Sequence, residues 1–85
     1  MHIEATGTFI KLYKKLSPDI QKKVKKTLSL FQENPSHPSL RNKKMTGQKN
    51  IYEIRVTLNF RITYTRKGDT AILRKVGTHN LMKQP

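Results

Sequence analysis

Three arginines define the chemistry worth testing in this sequence. Arg55, Arg61 and Arg74 lie in a C-terminal stretch, residues 51–77, in which apolar and polar side chains alternate. A guanidinium is permanently charged and presents a planar fork of N–H donors that matches the oxygens of a phosphate. If Val56 faces Phe60 across a short loop, Ile54 faces Ile62, Tyr52 faces Tyr64, and Arg55 stands directly opposite Arg61. Like charges directly opposed on a sheet are destabilising. A bound phosphate would offset that cost through bidentate, charge-assisted hydrogen bonds. A second hairpin with Thr65 opposite Thr70 would bring Arg74 opposite Arg61; an odd loop length would instead turn Arg74 to the other face. His79 follows Val76-Gly77-Thr78, just past the last strand-like segment, where an imidazole can donate a proton to a leaving oxygen. The plainer alternative is a surface histidine. Glu53 is the acidic residue on the same strand face; it is either a general base or the ion-pair partner of Arg55.

Other chemistries find less support. The remaining histidines, His2 and His37, form no pair at metal-ligand spacing, and no carboxylate cluster accompanies them, so no metal is expected. There is no cysteine, hence no disulfide and no thiolate. No Ser-His-Asp set, glycine-rich phosphate loop or aromatic RNA-binding sheet motif occurs, and no cofactor is expected.

Length and charge bound the rest. The chain has 85 residues, 18 Lys+Arg against 5 Asp+Glu, and a formal net charge of +13. That length fits one domain, residues 1–85, with a small core. A hydrophobic content of 34% is low and makes a disordered basic tail the first alternative to test. The periodic patterning rejects it. A folded domain with this charge attracts polyanions through counterion release, nucleic acid above all. An anionic membrane surface fits less well, because no strongly amphipathic membrane-surface helix with Trp or Phe anchors is apparent. No apolar run is long enough for a membrane span or signal core, and a polar sequence after Met1 fits a cytoplasmic protein.

The elements that must position these residues are helical first and extended second. Residues 2–5 allow a short strand. Thr8 is a candidate cap for a helix in which Phe9, Leu12, Tyr13 and Leu16 share one face. Ser17 at N-cap, Pro18 at N1 and Asp19 near the positive end start a second helix, whose Ile20, Val24, Leu28 and Phe31 repeat on one stripe until Asn34-Pro35 stops it. Lys22, Lys23, Lys25 and Lys26 cover its outer faces, either as a solvated surface or as a general attractor of RNA. Residues 35–50 read as a basic loop with Leu40 and Met45 turned inward. From Ile51 the period becomes two, and Lys67-Gly68-Asp69 signals a turn before a third strand, TAILRKVG. The expected fold class is α+β: an N-terminal helical hairpin packed on a small antiparallel β-meander, with a possible short N-terminal edge strand.

The segments IYEIRV…NFRITYTRKGDTAILRKVGTH and TFIKLYKKLSPDIQKKVKKTLSLFQENPSHPSLRNKKMTG together resemble the RelE/ParE toxin superfamily of toxin–antitoxin modules over nearly the whole chain. The VGTH end is most similar to the YafQ branch, in which the histidine matching His79 is catalytic. NFRITY is similar to the branch's YR-x-x-Y strand, whose arginine matches Arg61; Arg55 matches a basic or histidine position one strand earlier. The resemblance implies metal-independent cleavage of mRNA in the ribosomal A site by attack of a ribose 2′-OH on the adjacent phosphorus. Arg61 would stabilise the phosphoryl charge, Arg55 would position the phosphate and His79 would protonate the leaving 5′-oxygen. Arg41, Lys43, Lys44, Lys49, Arg74 and Lys75 would contact RNA. The implied partners are an acidic cognate antitoxin, the ribosome and mRNA. The chain departs from the pattern in having Asn59 at an acidic position and no aromatic residue after His79. A ParE-like toxin that inhibits DNA gyrase and a non-catalytic basic RNA-binding module are the alternatives.

Overall fold

The computed structural model describes residues 1–47 and 50–78. In chain order it forms β1 (His2–Ala5), α1 (Gly7–Lys14), α2 (Pro18–Glu33), a 3-10 turn (Pro38–Leu40), β2 (Lys43–Lys44), β3 (Ile51–Arg55), β4 (Phe60–Lys67) and β5 (Thr70–Thr78). The strands make one mixed five-stranded sheet in the order β1-β5-β4-β3-β2. β3, β4 and β5 form the expected antiparallel meander. β1 is the short N-terminal edge strand and runs parallel to β5.

Both helices begin where their caps dictate, with one correction. Ser17 caps α2 by accepting the Ile20 N–H at 3.4 Å, and Pro18 fills the first helical position, where its missing N–H costs nothing. Thr6, not Thr8, caps α1: its backbone is extended and its hydroxyl accepts the Phe9 N–H at 3.1 Å. Thr8 falls inside the first turn. Thr6 is selected because its N–H is tied to the Leu73 carbonyl at 3.1 Å, which carries the β1 ladder to the helix start.

The core lies between the helices and one face of the sheet. Phe9, Val24 and Phe31 meet Ile54, Ile62, Tyr64, Leu73 and Val76 there. Full burial of each such aliphatic or aromatic side chain stabilises the fold by about 1.5–3 kcal/mol. Leu40 is buried as expected, whereas Met45 is half-buried. Residues 35–50, read as loop, contain the 3-10 turn and the edge strand β2, which pairs Lys43 with Glu53 and Lys44 with Tyr52.

The second hairpin differs from expectation in a way that matters for the site. β4 runs on to Lys67, which pairs with Thr70 across the two residues Gly68 and Asp69. Gly68 takes φ 59°, as the first central residue of a tight hairpin turn matched to sheet twist requires. Further along, Tyr64 pairs with Leu73 but Thr63 pairs with Lys75, so Arg74 is an extra residue in a β-bulge. Leu73 and Val76 have opposite parity along the chain, and the bulge lets both face the core. It also moves Arg74 out of register: the partner of Arg61 is Gly77, not Arg74.

Candidate nucleic-acid interface

Glu53, Arg55 and Arg61 lie on the sheet face opposite the core residues Ile54 and Ile62. In the β3–β4 ladder Arg55 pairs with Arg61, as the alternation predicts, and Glu53 pairs with Thr63. Arg55, Arg61, Glu53, Arg41 and Lys43 line a cavity of about 210 Å³. Among the described residues, four cations thus share this cavity with one carboxylate. Arg41 arrives from the end of the 3-10 turn with a left-handed φ of 46°, and Lys43 arrives from β2, opposite Glu53.

The two central arginines are held differently. Arg61 is tied down: its Nη1 donates to the carbonyls of Thr57 (2.5 Å), Leu58 (2.6 Å) and Phe60 (3.2 Å). Its Nε lies 3.6 Å from Glu53 Oε1. Glu53 therefore pairs with Arg61, not with Arg55. Arg61 can reach Glu53 because the Thr57–Asn59 turn folds its carbonyls under the guanidinium and pins it. Thr57 shapes that turn by accepting the N–H groups of Asn59 (3.3 Å) and Phe60 (3.1 Å) on its hydroxyl.

Arg55 has no such tether. Its Nε is buried and has no hydrogen-bond partner among the described residues. Burial, followed by the nearby charges of Arg41 and Arg61, lowers its pKa from the ordinary arginine value. Arginine stays protonated throughout the physiological range, so the effect is an unpaired cation seeking an anion. Thr63 is a second orphan on this face: its Oγ1 is buried without a partner among the described residues. Sequence reasoning passed over Thr63, although the alternation places it beside Glu53.

The remaining candidates divide by position. Arg74 and Lys75 line a separate cavity of about 160 Å³ with Thr6 and Thr8, at the start of α1. The Arg74 carbonyl accepts the Thr6 hydroxyl at 3.3 Å, which ties the bulge to the helix cap. Lys44 lies on the other face of β2 from Lys43. Lys49 and His79 lie outside the described residues. Lys23 and Lys26 of α2, read from sequence as general surface charge, line a cavity of about 290 Å³ together with Arg55.

Two helices on one face of a mixed five-stranded sheet, with opposed arginines on the other, define a small basic α+β domain of the RelE-like fold. The chain matches the ParE-like toxin domain over residues 18–81 and belongs to that family, within the RelE/ParE toxin superfamily. It is similar to a chain of the RelB–RelE antitoxin–toxin complex from Methanococcus jannaschii, with 31% identity, 94% of each chain covered and a TM-score of 0.76. E. coli YafQ aligns over 94% of each chain at 19% identity with a TM-score of 0.77. A chain of the E. coli RelBE toxin–antitoxin complex aligns over 91% of this chain and 94% of its own length at 20% identity, TM-score 0.71. At those two identities the likeness is one of fold. No curated protein matches at a significant level.

Proposed function

We propose that this chain is the toxin of a type II toxin–antitoxin module and acts as a ribosome-dependent mRNA endonuclease. The observation that carries the reading is Arg55: a cation with a buried, unpartnered Nε, directly opposite Arg61, in a cavity with four cations and one carboxylate. A sheet that sets two arginines face to face gains nothing in isolation, and a phosphodiester supplies the missing partner. Arg55 binds the phosphate. Arg61, fixed by the hairpin carbonyls and Glu53, presents its remaining donors to the phosphoryl oxygens as charge builds there. The 2′-OH attacks phosphorus, a cyclic phosphate forms, and the 5′-oxygen leaves with a proton. His79 is the proton donor implied by the resemblance to YafQ. Glu53 is the one carboxylate lining the cavity and so the acidic group available there to take the 2′-OH proton.

The lysines over α2 and the 35–50 loop then serve to dock on ribosomal RNA. The antitoxin partner follows from the neighbours' own complexes and from the +13 charge, which an acidic segment would neutralise. Match to a ParE-like family keeps gyrase inhibition as the second reading. The deciding experiment adds purified protein to a translating extract and, separately, to DNA gyrase. Cleavage of ribosome-bound mRNA that is lost in His79→Gln, with ribosome binding retained, is the expected result. Supercoiling inhibition without mRNA cleavage would replace this reading with the second.

A further inference from the structure

A second basic cavity, of about 460 Å³, lies on the other side of the β2 edge. Arg41, Lys43, Lys44 and Arg66 line it, together with His37, Asn42, Tyr52 and Tyr64, and no carboxylate among the described residues does. Arg41 and Lys43 line both this cavity and the Arg55–Arg61 cavity. The bridge follows from strand alternation: Lys43 is opposite Glu53 on one face of β2, and Lys44 is opposite Tyr52 on the other. A chain of phosphates leaving the arginine site across the sheet edge stays among cations throughout.

The cavity also holds a built aromatic platform. Tyr52 stacks on Tyr64, with ring centroids 5.4 Å apart and planes 20° from parallel. Tyr64 is locked in place, donating to Asn42 Oδ1 at 2.7 Å, while Asn42 Nδ2 donates to the Pro35 carbonyl at 3.2 Å. Tyr52 itself is half-buried, so part of its surface remains open to the cavity. His37 adds a directed donor. Its Nδ1 accepts the Ser39 N–H at 3.1 Å, so neutral His37 carries its proton on Nε2. Among the described residues, Arg66 spends only its Nε, on the Gly68 carbonyl at 3.2 Å.

We propose that this cavity is a second nucleotide subsite on the same RNA strand, holding a base against Tyr52 and its phosphate among Lys44, Arg66 and Arg41. This deepens the RNA reading above and rests on it. A volume of about 460 Å³ suits one nucleotide unit. Cations alone would serve an acidic peptide equally well; the locked tyrosine pair and the single N–H donor favour a base, since every base offers a π-face for stacking.

The test uses the full chain, labelled with nitrogen-15, and an adenine nonanucleotide carrying 2′-O-methyl groups so that it cannot be cut. Titration should move the amide signals of His37, Ser39, Lys44, Tyr52 and Arg66 together with those around Arg55 and Arg61. By fluorescence anisotropy, Lys44→Glu with Arg66→Glu should weaken the nonanucleotide at least fivefold and leave a dinucleotide unchanged; both residues are exposed, so the fold is retained. Tyr52→Leu should weaken the nonanucleotide about tenfold through lost stacking. Signals confined to the Arg55–Arg61 cavity, with the double variant binding as tightly as wild type, overturn the subsite and leave the RNA reading intact. No RNA binding at either cavity also overturns the subsite, while the RNA reading stands or falls separately on cleavage in the translating extract. Displacement of the RNA from Tyr52 by a glutamate heptapeptide, with Tyr52→Leu neutral, assigns the cavity to an acidic peptide and overturns the nucleotide assignment.

Discussion

Arg61 is both a proposed phosphate ligand and a clamp on its own hairpin, and the second role can be measured without RNA. Arg61→Met removes the Nη1 bonds to the Thr57, Leu58 and Phe60 carbonyls and strands Glu53, which is 6% exposed. Hydrogen bonds from a charged donor contribute about 1.5–3 kcal/mol each, and less where the carbonyls can rehydrate, as at this turn. The two shorter bonds, to the Thr57 and Leu58 carbonyls, at about 1 kcal/mol each, plus about 1 kcal/mol for the abandoned carboxylate, give a loss of ~3 kcal/mol, the longer Phe60 bond being counted as nil. Relief of the Arg55–Arg61 opposition offsets a fraction of it. Domains of this size have a stability of roughly 4–13 kcal/mol, so the loss is a large share of the whole. It lowers Tm by about 10–25 °C at roughly 4–8 °C per kcal/mol. Urea and thermal unfolding followed by circular dichroism measure it. The double variant Glu53→Gln/Arg61→Met should recover about 1 kcal/mol relative to the sum of the single losses, because no buried carboxylate is then left alone. An Arg61→Met protein as stable as wild type, within about 0.5 kcal/mol, would refute the clamp. The result also governs how functional variants are read: loss of toxicity in an Arg61 variant carries an unfolding component, whereas loss at Arg55 does not.

Three further outcomes are expected. Arg55→Gln should leave Tm unchanged or higher, since Arg55 has an unpartnered Nε and two like-charged neighbours, yet lower mRNA cleavage in a translating extract at least tenfold; a matching fall in Tm would argue for a structural role instead. Thr6→Ala should cost about 1–2 kcal/mol in urea unfolding, through loss of the cap to Phe9 and of the hydroxyl bond to Arg74, with Thr6→Ser recovering most of it. Tyr64 has its pKa raised above the ordinary 10.0, chiefly by burial, with the Asn42 hydrogen bond opposing. The folded state therefore holds that proton more tightly than the unfolded chain. Its contribution is complete below pH ~10 and is lost as pH rises through the folded value, so Tm should fall above pH ~10 by less in Tyr64→Phe than in wild type.

Sequence periodicity alone determined the helix α2, its Ser17-Pro18 start, the β3–β4 register and the Arg55–Arg61 opposition. Those features are local: a 3.6-residue stripe, a cap and a short turn specify them without reference to the rest of the chain. The bulge in β5 was also written there, in the parity change between Leu73 and Val76, but a two-residue period read without that change leaves Arg74 on the wrong partner. Tertiary structure decided the rest. β2 is a two-lysine strand with no apolar pattern, visible only because β3 offers it an edge. Thr6 displaces Thr8 as the cap because a parallel β1–β5 pairing, some seventy residues apart in sequence, fixes where α1 begins. The unequal fates of the two arginines are likewise tertiary. Both are guanidiniums at equivalent positions of paired strands, but the turn carbonyls and Glu53 lie within reach of Arg61 alone. Arg55 is left as the partly buried cation whose Nε has no partner among the described residues, which composition could count but not locate.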